Sequence, residues 1–166
     1  EKAIDNWKKN YDGSSIISDK LDGISCLFYK NDDNIKIYTR GNGTEGQDIS
    51  HLRNYITFPN ITDKKFAIRG ELIISRTNWE KIKDMGSNAR NVVAGAIHSK
   101  IINKDLMKNI EFLAYDILSP KMKIEDVFNY FTKNNIKCAN YVLWDLDNIN
   151  LQSLSNHLEL RRNESD

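Results

Sequence analysis

In Lys20-Leu21-Asp22-Gly23-Ile24, a lysine is followed by one spacer, an aspartate and a glycine at the start of an apolar run. That order can set an amine beside a nucleotide phosphate, which makes Lys20 and Asp22 the candidate catalytic residues. A free lysine amine has a pKa of roughly 10.4, so only about one in a few thousand is unprotonated at neutral pH. An attacking lysine therefore needs a site that lowers this value through partial burial and neighbouring cations, and Arg40 is a candidate neighbour. Gly23 lacks a side chain, which lets a nucleotide approach the backbone closely. Taken alone, the tetrapeptide also reads as a surface turn.

Three further segments carry side chains of the same kind of chemistry. Tyr38 to Asp48 has three glycines between polar anchors, with Arg40 at a strand end, where a guanidinium can make forked hydrogen bonds to ribose or phosphate oxygens. A plain hairpin loop explains the glycines equally well. Glu71 lies in the middle of the apolar run 66–74, and a carboxylate there is expensive to bury without a partner. Asn88 to Gly95 joins Arg90 and Asn91 to small residues that suit close approach to a polyanion, although an ordinary helix with a solvated arginine has the same sequence. His51, His98 and His157 are scattered, and Cys26 and Cys138 lack metal-ligand spacing; no metal site is expected from them, and two buried thiols is the plain reading of the cysteines.

The elements that must hold these residues alternate in type. A short helix over 3–10 precedes a strand over 15–18, and Lys20 follows directly. The β-branched and aromatic runs 24–29 and 35–39, separated by Asn31-Asp32-Asp33-Asn34, predict an antiparallel hairpin. A strand over 66–74, a helix over 77–85 with Trp79, Ile82 and Met85 on one side, a small-residue helix over 91–99 and a strand over 110–118 follow. The chain closes with an amphipathic helix over 124–134 carrying Ile124, Val127, Phe128 and Phe131, a strand near 141–144 and a helix over 151–160. Interspersed strands and helices with hairpin-like connections predict an α+β fold on antiparallel sheets.

A chain of 166 residues with 40% hydrophobic residues is expected to form one compact unit. Its 24 Lys and Arg balance 23 Asp and Glu to a net charge of +1, so any nucleic-acid contact must come from a local patch. No apolar run of the roughly 18 residues needed to span a membrane is present, nor a signal-peptide pattern, so no membrane partner is expected and a soluble intracellular protein of cytoplasm or nucleoid is.

Together, in this order, the four segments resemble the adenylation domain of NAD-dependent DNA ligases, from about Ser15 to the end of the chain. The resemblance implies the nucleotidyltransferase fold shared with mRNA capping enzymes. It also implies NAD as cofactor, Mg2+ as the divalent ion, nicked duplex DNA as partner, and a place in DNA replication or repair, with a DNA virus as a compatible origin. Lys20 becomes the nucleophile that takes AMP with nicotinamide mononucleotide leaving; Gly23, Arg40 and Glu71 bind the nucleotide, the last two at its ribose. Arg90, Asn91 and His98 stand in the DNA-contacting segment. ATP-dependent ligases and capping enzymes, the alternative within the enzyme class, carry an arginine where this chain has Ser25; a degenerate nucleotide- or DNA-binding module is the alternative outside it. Three positions depart from the family pattern: Ser18 replaces a glutamate, Ala89 a proline and His98 an arginine. The later lysine-bearing motifs are missing before Asp166, so residues 1–166 are expected to be a partial adenylation domain, without the upstream nicotinamide-binding domain or the OB-fold, zinc and helix-hairpin-helix modules.

Overall fold

The computed structural model describes residues 2–164; Glu1 and the last two residues of the charged terminus, Ser165 and Asp166, lie outside the described residues. In chain order the elements are α1 (Lys2–Lys8), β1 (Ser14–Ser18), β2 (Ile24–Asn31), β3 (Asn34–Thr39), β4 (Lys65–Ile73), α2 (Arg76–Ile82), α3 (Ala89–His98), α4 (Lys104–Met107), β5 (Glu111–Ser119), α5 (Ile124–Lys133), β6 (Tyr141–Asp145) and α6 (Leu151–Glu164). Every pairing between these strands is antiparallel, as the α+β reading requires. The expectation of one compact unit is not met. The chain divides into two, one made of Leu21–Ala139 and the other of the residues on either side of it.

The larger unit is built on a sheet of order β3-β2-β4-β5. The β2–β3 hairpin turns at Asp32 and Asp33, with Asn31 opposite Asn34 and Asp32 at φ +53°, a conformation that aspartate tolerates better than most residues. Side chains alternate across a strand, and this sorts the sheet into two faces. Cys26, Phe28, Ile37, Phe66, Ile68, Leu72, Phe112 and Ala114 point into the core. There α3 packs against β2 and β4 through Val92, Val93, Ala96 and Ile97, and α5 packs against β5 through Val127, Phe128 and Phe131. The opposite face carries Ser25 and Leu27, Tyr38, Arg69 and Glu71, and Leu113, and it is the face that matters for function.

Two helical expectations need correction. The helix over 77–85 ends at Ile82, where φ −132° leaves the helical range, and a 3-10 turn Lys83–Met85 follows; Met85 is exposed instead of sharing a face with Trp79 and Ile82. Ile124, at the first position of α5, is also exposed. Of the two thiols only Cys26 is buried, and Cys138 is half-buried. Burial pushes both thiols up, with the charge of Glu71 adding to the effect at Cys26, so neither is a ready nucleophile.

The smaller unit pairs β1 with β6, from Ser14 opposite Asp145 to Ser18 opposite Tyr141. Lys8 Nζ of α1 donates to the Ile149 carbonyl at 3.1 Å, and Trp144 meets His157 of α6 edge-on, with ring centroids 5.2 Å apart. At the end of β1 the Arg161 guanidinium forks onto Asp19, with Nε 3.0 Å from one carboxylate oxygen and Nη2 2.7 Å from the other. Both side chains of this pair are largely shielded from solvent, and the neighbouring carboxylates push the Arg161 pKa further up.

Candidate active site

Register places two of the expected nucleotide-binding residues on one line across the sheet. The Arg40 backbone N–H, one residue past β3, donates to the Ser25 carbonyl at 3.1 Å. Ser25 lies opposite Glu71, and Glu71 lies opposite Leu113. Arg40 and Glu71 thus flank Ser25 from the two neighbouring strands, roughly 10 Å apart at the backbone by strand spacing. Two residues further along, Tyr38, Leu27 and Arg69 form a second line on the same face.

A cleft of about 990 Å³ opens over this face, lined by Ser25, Leu27, Tyr38, Arg40, Arg69 and Tyr115 and closed on one side by the loop residues Gly43 to Gly46. Glu71 is not among its lining residues. The hydroxyls of Ser25 and Tyr115 lie 3.0 Å apart, so the tyrosine of β5 reaches over β4 to β2. Arg69 makes a long ion pair with Asp116 at 3.8 Å and keeps its side chain about half exposed. Sequence reading gave no role to Tyr38, Arg69 or Tyr115, although the first two open segments that carry the family resemblance. Alternation could have put the first two on the open face, but nothing in the sequence pairs Tyr115 with Ser25.

The glycine-rich loop is held by its own atoms. Gly41 adopts φ +55°, and a Cβ there would stand 1.8 Å from the Glu45 carbonyl oxygen, so only glycine fits. Asn42 Oδ1 accepts from the Thr44 N–H at 3.0 Å, the Thr44 hydroxyl at 2.9 Å and the Glu45 N–H at 2.8 Å. The loop closes where the Thr39 N–H donates to Gln47 O at 3.0 Å and the Gln47 N–H returns to Thr39 Oγ1 at 3.1 Å. Asp48 then accepts from Lys36 at 3.0 Å and from the Ser50 N–H and hydroxyl, and these donors pull its pKa down to about 2.

Gly23 has a packing reason of its own. A Cβ at this buried position would lie 2.0 Å from the Leu72 carbonyl oxygen of β4, so its open side faces the sheet backbone. Asp22 is exposed and accepts from Arg90 Nη1 at 3.1 Å. Helix α3 begins two residues earlier than expected because Asn88 caps it, its side chain accepting from the Asn91 N–H at 2.8 Å. The Asn91 side chain donates to Ser87 Oγ at 3.0 Å, and at the other end of the helix His98 Nδ1 lies 2.5 Å from Gln47 Oε1. The larger unit thus carries Asp22, Gly23, Arg40, Glu71, Arg90, Asn91 and His98, of which Asp22 and Arg90 pair directly and Arg40 and Glu71 share one line across the sheet. Lys20 is the exposed last residue of the smaller unit's first segment, directly after the Asp19 that Arg161 holds.

Among the described residues no three His, Cys, Asp or Glu side chains gather as a group that could hold a metal ion. Mg2+ is commonly held by one or two carboxylates together with substrate phosphates. Among the described residues no helix is long and apolar enough to cross a membrane.

Comparison with known proteins bears on this geometry. A family profile described as NAD-dependent DNA ligase adenylation domain matches residues 1–164. The chain is 38% identical to the DNA ligase of Acanthamoeba polyphaga mimivirus over 157 residues, which cover 91% of this chain and 25% of that protein. It is 33% identical to the DNA ligase of Pelagibacter ubique over 147 residues, 82% of this chain and 20% of that one. The chain thus spans about a quarter or less of the length of these relatives. The solved structure named Pmar-Lig_Pre has a similar fold, with a TM-score of 0.56 and 16% identity over 95% of this chain and 37% of its own length. The fold is that of the ligase nucleotidyltransferase domain, and the chain belongs to the NAD-dependent DNA ligase adenylation domain family.

Proposed function

We propose that this chain forms the nucleotide-binding part of an NAD-dependent DNA ligase that seals nicks between a 5'-phosphate and a 3'-hydroxyl in duplex DNA. The single observation that carries the reading is the line Arg40–Ser25–Glu71 on the open face of the sheet, beside a cleft walled by a preformed glycine-rich loop. A guanidinium on one side and a carboxylate on the other complement the oxygens and hydroxyls of a ribose. The Tyr38 and Tyr115 rings in the cleft wall offer flat apolar surface for a base.

Lys20 Nζ, as the free amine, forms a bond to the α-phosphorus of NAD while the bond to the nicotinamide mononucleotide phosphate breaks, and that mononucleotide leaves with the electron pair. The proton released from nitrogen passes to solvent. The adenylyl group then moves to the 5'-phosphate of the nick, which frees Lys20, and attack by the 3'-hydroxyl displaces AMP. Arg40 and Glu71 orient the nucleotide for the in-line step, which is where proximity contributes most. Arg90, Asn91 and His98 are the residues of this chain that face DNA, and Mg2+ held by the nucleotide phosphates would supply positive charge to them. This chemistry fits both replication and repair, inside a cell or in a viral replication cycle.

The test is sealing of a singly nicked duplex by the full-length protein with either NAD or ATP supplied. NAD-dependent sealing that falls at least tenfold in Arg40→Ala and in Glu71→Ala, with unchanged melting temperature, is the expected result. Sealing driven by ATP, or sealing indifferent to both substitutions, contradicts the reading.

A further inference from the structure

Helix α3 has a second role that its place in the DNA-contacting segment does not explain. It is a ten-residue helix fixed to the sheet by Val92, Val93, Ala96 and Ile97, and its Arg90 and His98 lie about 12 Å apart along the axis. Both side chains reach residues distant in sequence within the larger unit. Arg90 Nη1 donates to Asp22 Oδ1 at 3.1 Å, a partner 68 residues away in sequence. His98 Nδ1 and Gln47 Oε1 are 2.5 Å apart across 51 residues. Asp22 sits between Lys20 and the buried Gly23, which is wedged against β4. Gln47 grips Thr39 through both of its backbone groups, and Thr39 precedes Arg40. Each end of one rigid helix is therefore tied to one of the two segments proposed to handle the nucleotide.

We propose that Arg90 and His98 are positioning residues for the first, DNA-independent step, and that α3 acts as a strut setting Asp22 and the glycine-rich loop at a fixed separation. This rests on the reading of the cleft as the nucleotide site. At His98, where the family commonly carries arginine, the side chain serves the glycine-rich loop. At Arg90, a DNA phosphate and Asp22 are alternative partners for one guanidinium, so the same residue braces the site before DNA arrives and grips the nick afterwards. Exposed pairs of this type contribute little each, so the expected effects are severalfold rather than absolute.

The experiment is self-adenylation of the full-length protein by NAD with no DNA present, with initial rates followed as a function of NAD concentration. Arg90→Ala and His98→Ala should each raise KM for NAD about two- to fivefold. His98→Ala should add nothing in a Gln47→Ala background, because that pair shares one interaction. Arg90→Gln and His98→Asn, which keep side-chain bulk, replace the alanine variants if those melt early. Unchanged DNA-free adenylation in Arg90→Ala and His98→Ala, with only nick binding weakened, overturns the strut, as does full additivity of His98→Ala with Gln47→Ala. If the unaltered protein takes no AMP from NAD, the nucleotide-site reading itself has failed, which is a different outcome.

Discussion

Asp48 closes the glycine-rich loop, and three donors converge on its carboxylate: the Ser50 hydroxyl at 2.5 Å, the Ser50 N–H at 2.9 Å and Lys36 at 3.0 Å. They stabilise the charged form and lower its pKa from an ordinary 3.8 to about 2. A depressed folded-state value means that the carboxylate contributes stability in full above pH 3.8 and loses it as pH falls through about 2. Because the group is exposed, the contribution is modest. The expected outcome is that Asp48→Asn flattens the acid side of the melting-temperature profile between those two values, measured by circular dichroism in buffers of constant ionic strength. A profile that keeps its slope would mean that the loop end is held by the backbone bridge alone. The residues that carry the proposed chemistry were legible because each breaks a local pattern: a glutamate in an apolar strand, an arginine at a strand end, a lysine ahead of Asp-Gly. Tyr115 breaks none, and its hydroxyl contact with Ser25 depends on which strand lies between β2 and β5, something alternation does not specify.

At the scale of elements, strands were easier to read than helix ends. The β2–β3 hairpin followed from two β-branched runs around an Asn-Asp turn, since period-two burial and turn chemistry agree there. Helix α3 was placed two residues late because its first turn holds Ala89 and Arg90, which carry no apolar period; the cap supplied by Asn88 marks its start. Asn88→Ala removes the acceptor for the Asn91 N–H and should cost about 1 kcal/mol of stability. Urea denaturation reads this as a lower midpoint with an unchanged slope. If the midpoint does not move, the cap contributes nothing and the burial of Val92, Val93, Ala96 and Ile97 alone holds α3 in place. Helix α2 shows the opposite failure, since Trp79, Ile82 and Met85 keep helical spacing in sequence while the backbone leaves the helix at Ile82.

At the scale of the molecule, the sequence offered no way to see that β1 pairs with β6 across more than a hundred residues of intervening chain. Short strands from opposite ends of a sequence carry no local signal of their partnership, and so the two-unit division was missed. Nor does the nearly neutral composition, +1 overall, speak for DNA binding, which has to come from particular residues such as Arg90. The account turns on Lys20, which ends the segment held by the Asp19–Arg161 pair. Its direct measurement is peptide-resolved mass spectrometry of the full-length protein after incubation with NAD. The account predicts one added AMP on the peptide that contains Lys20, none in Lys20→Ala, and continued sealing of a pre-adenylated nick by that variant. AMP on another residue, or undiminished labelling of Lys20→Ala, would contradict it.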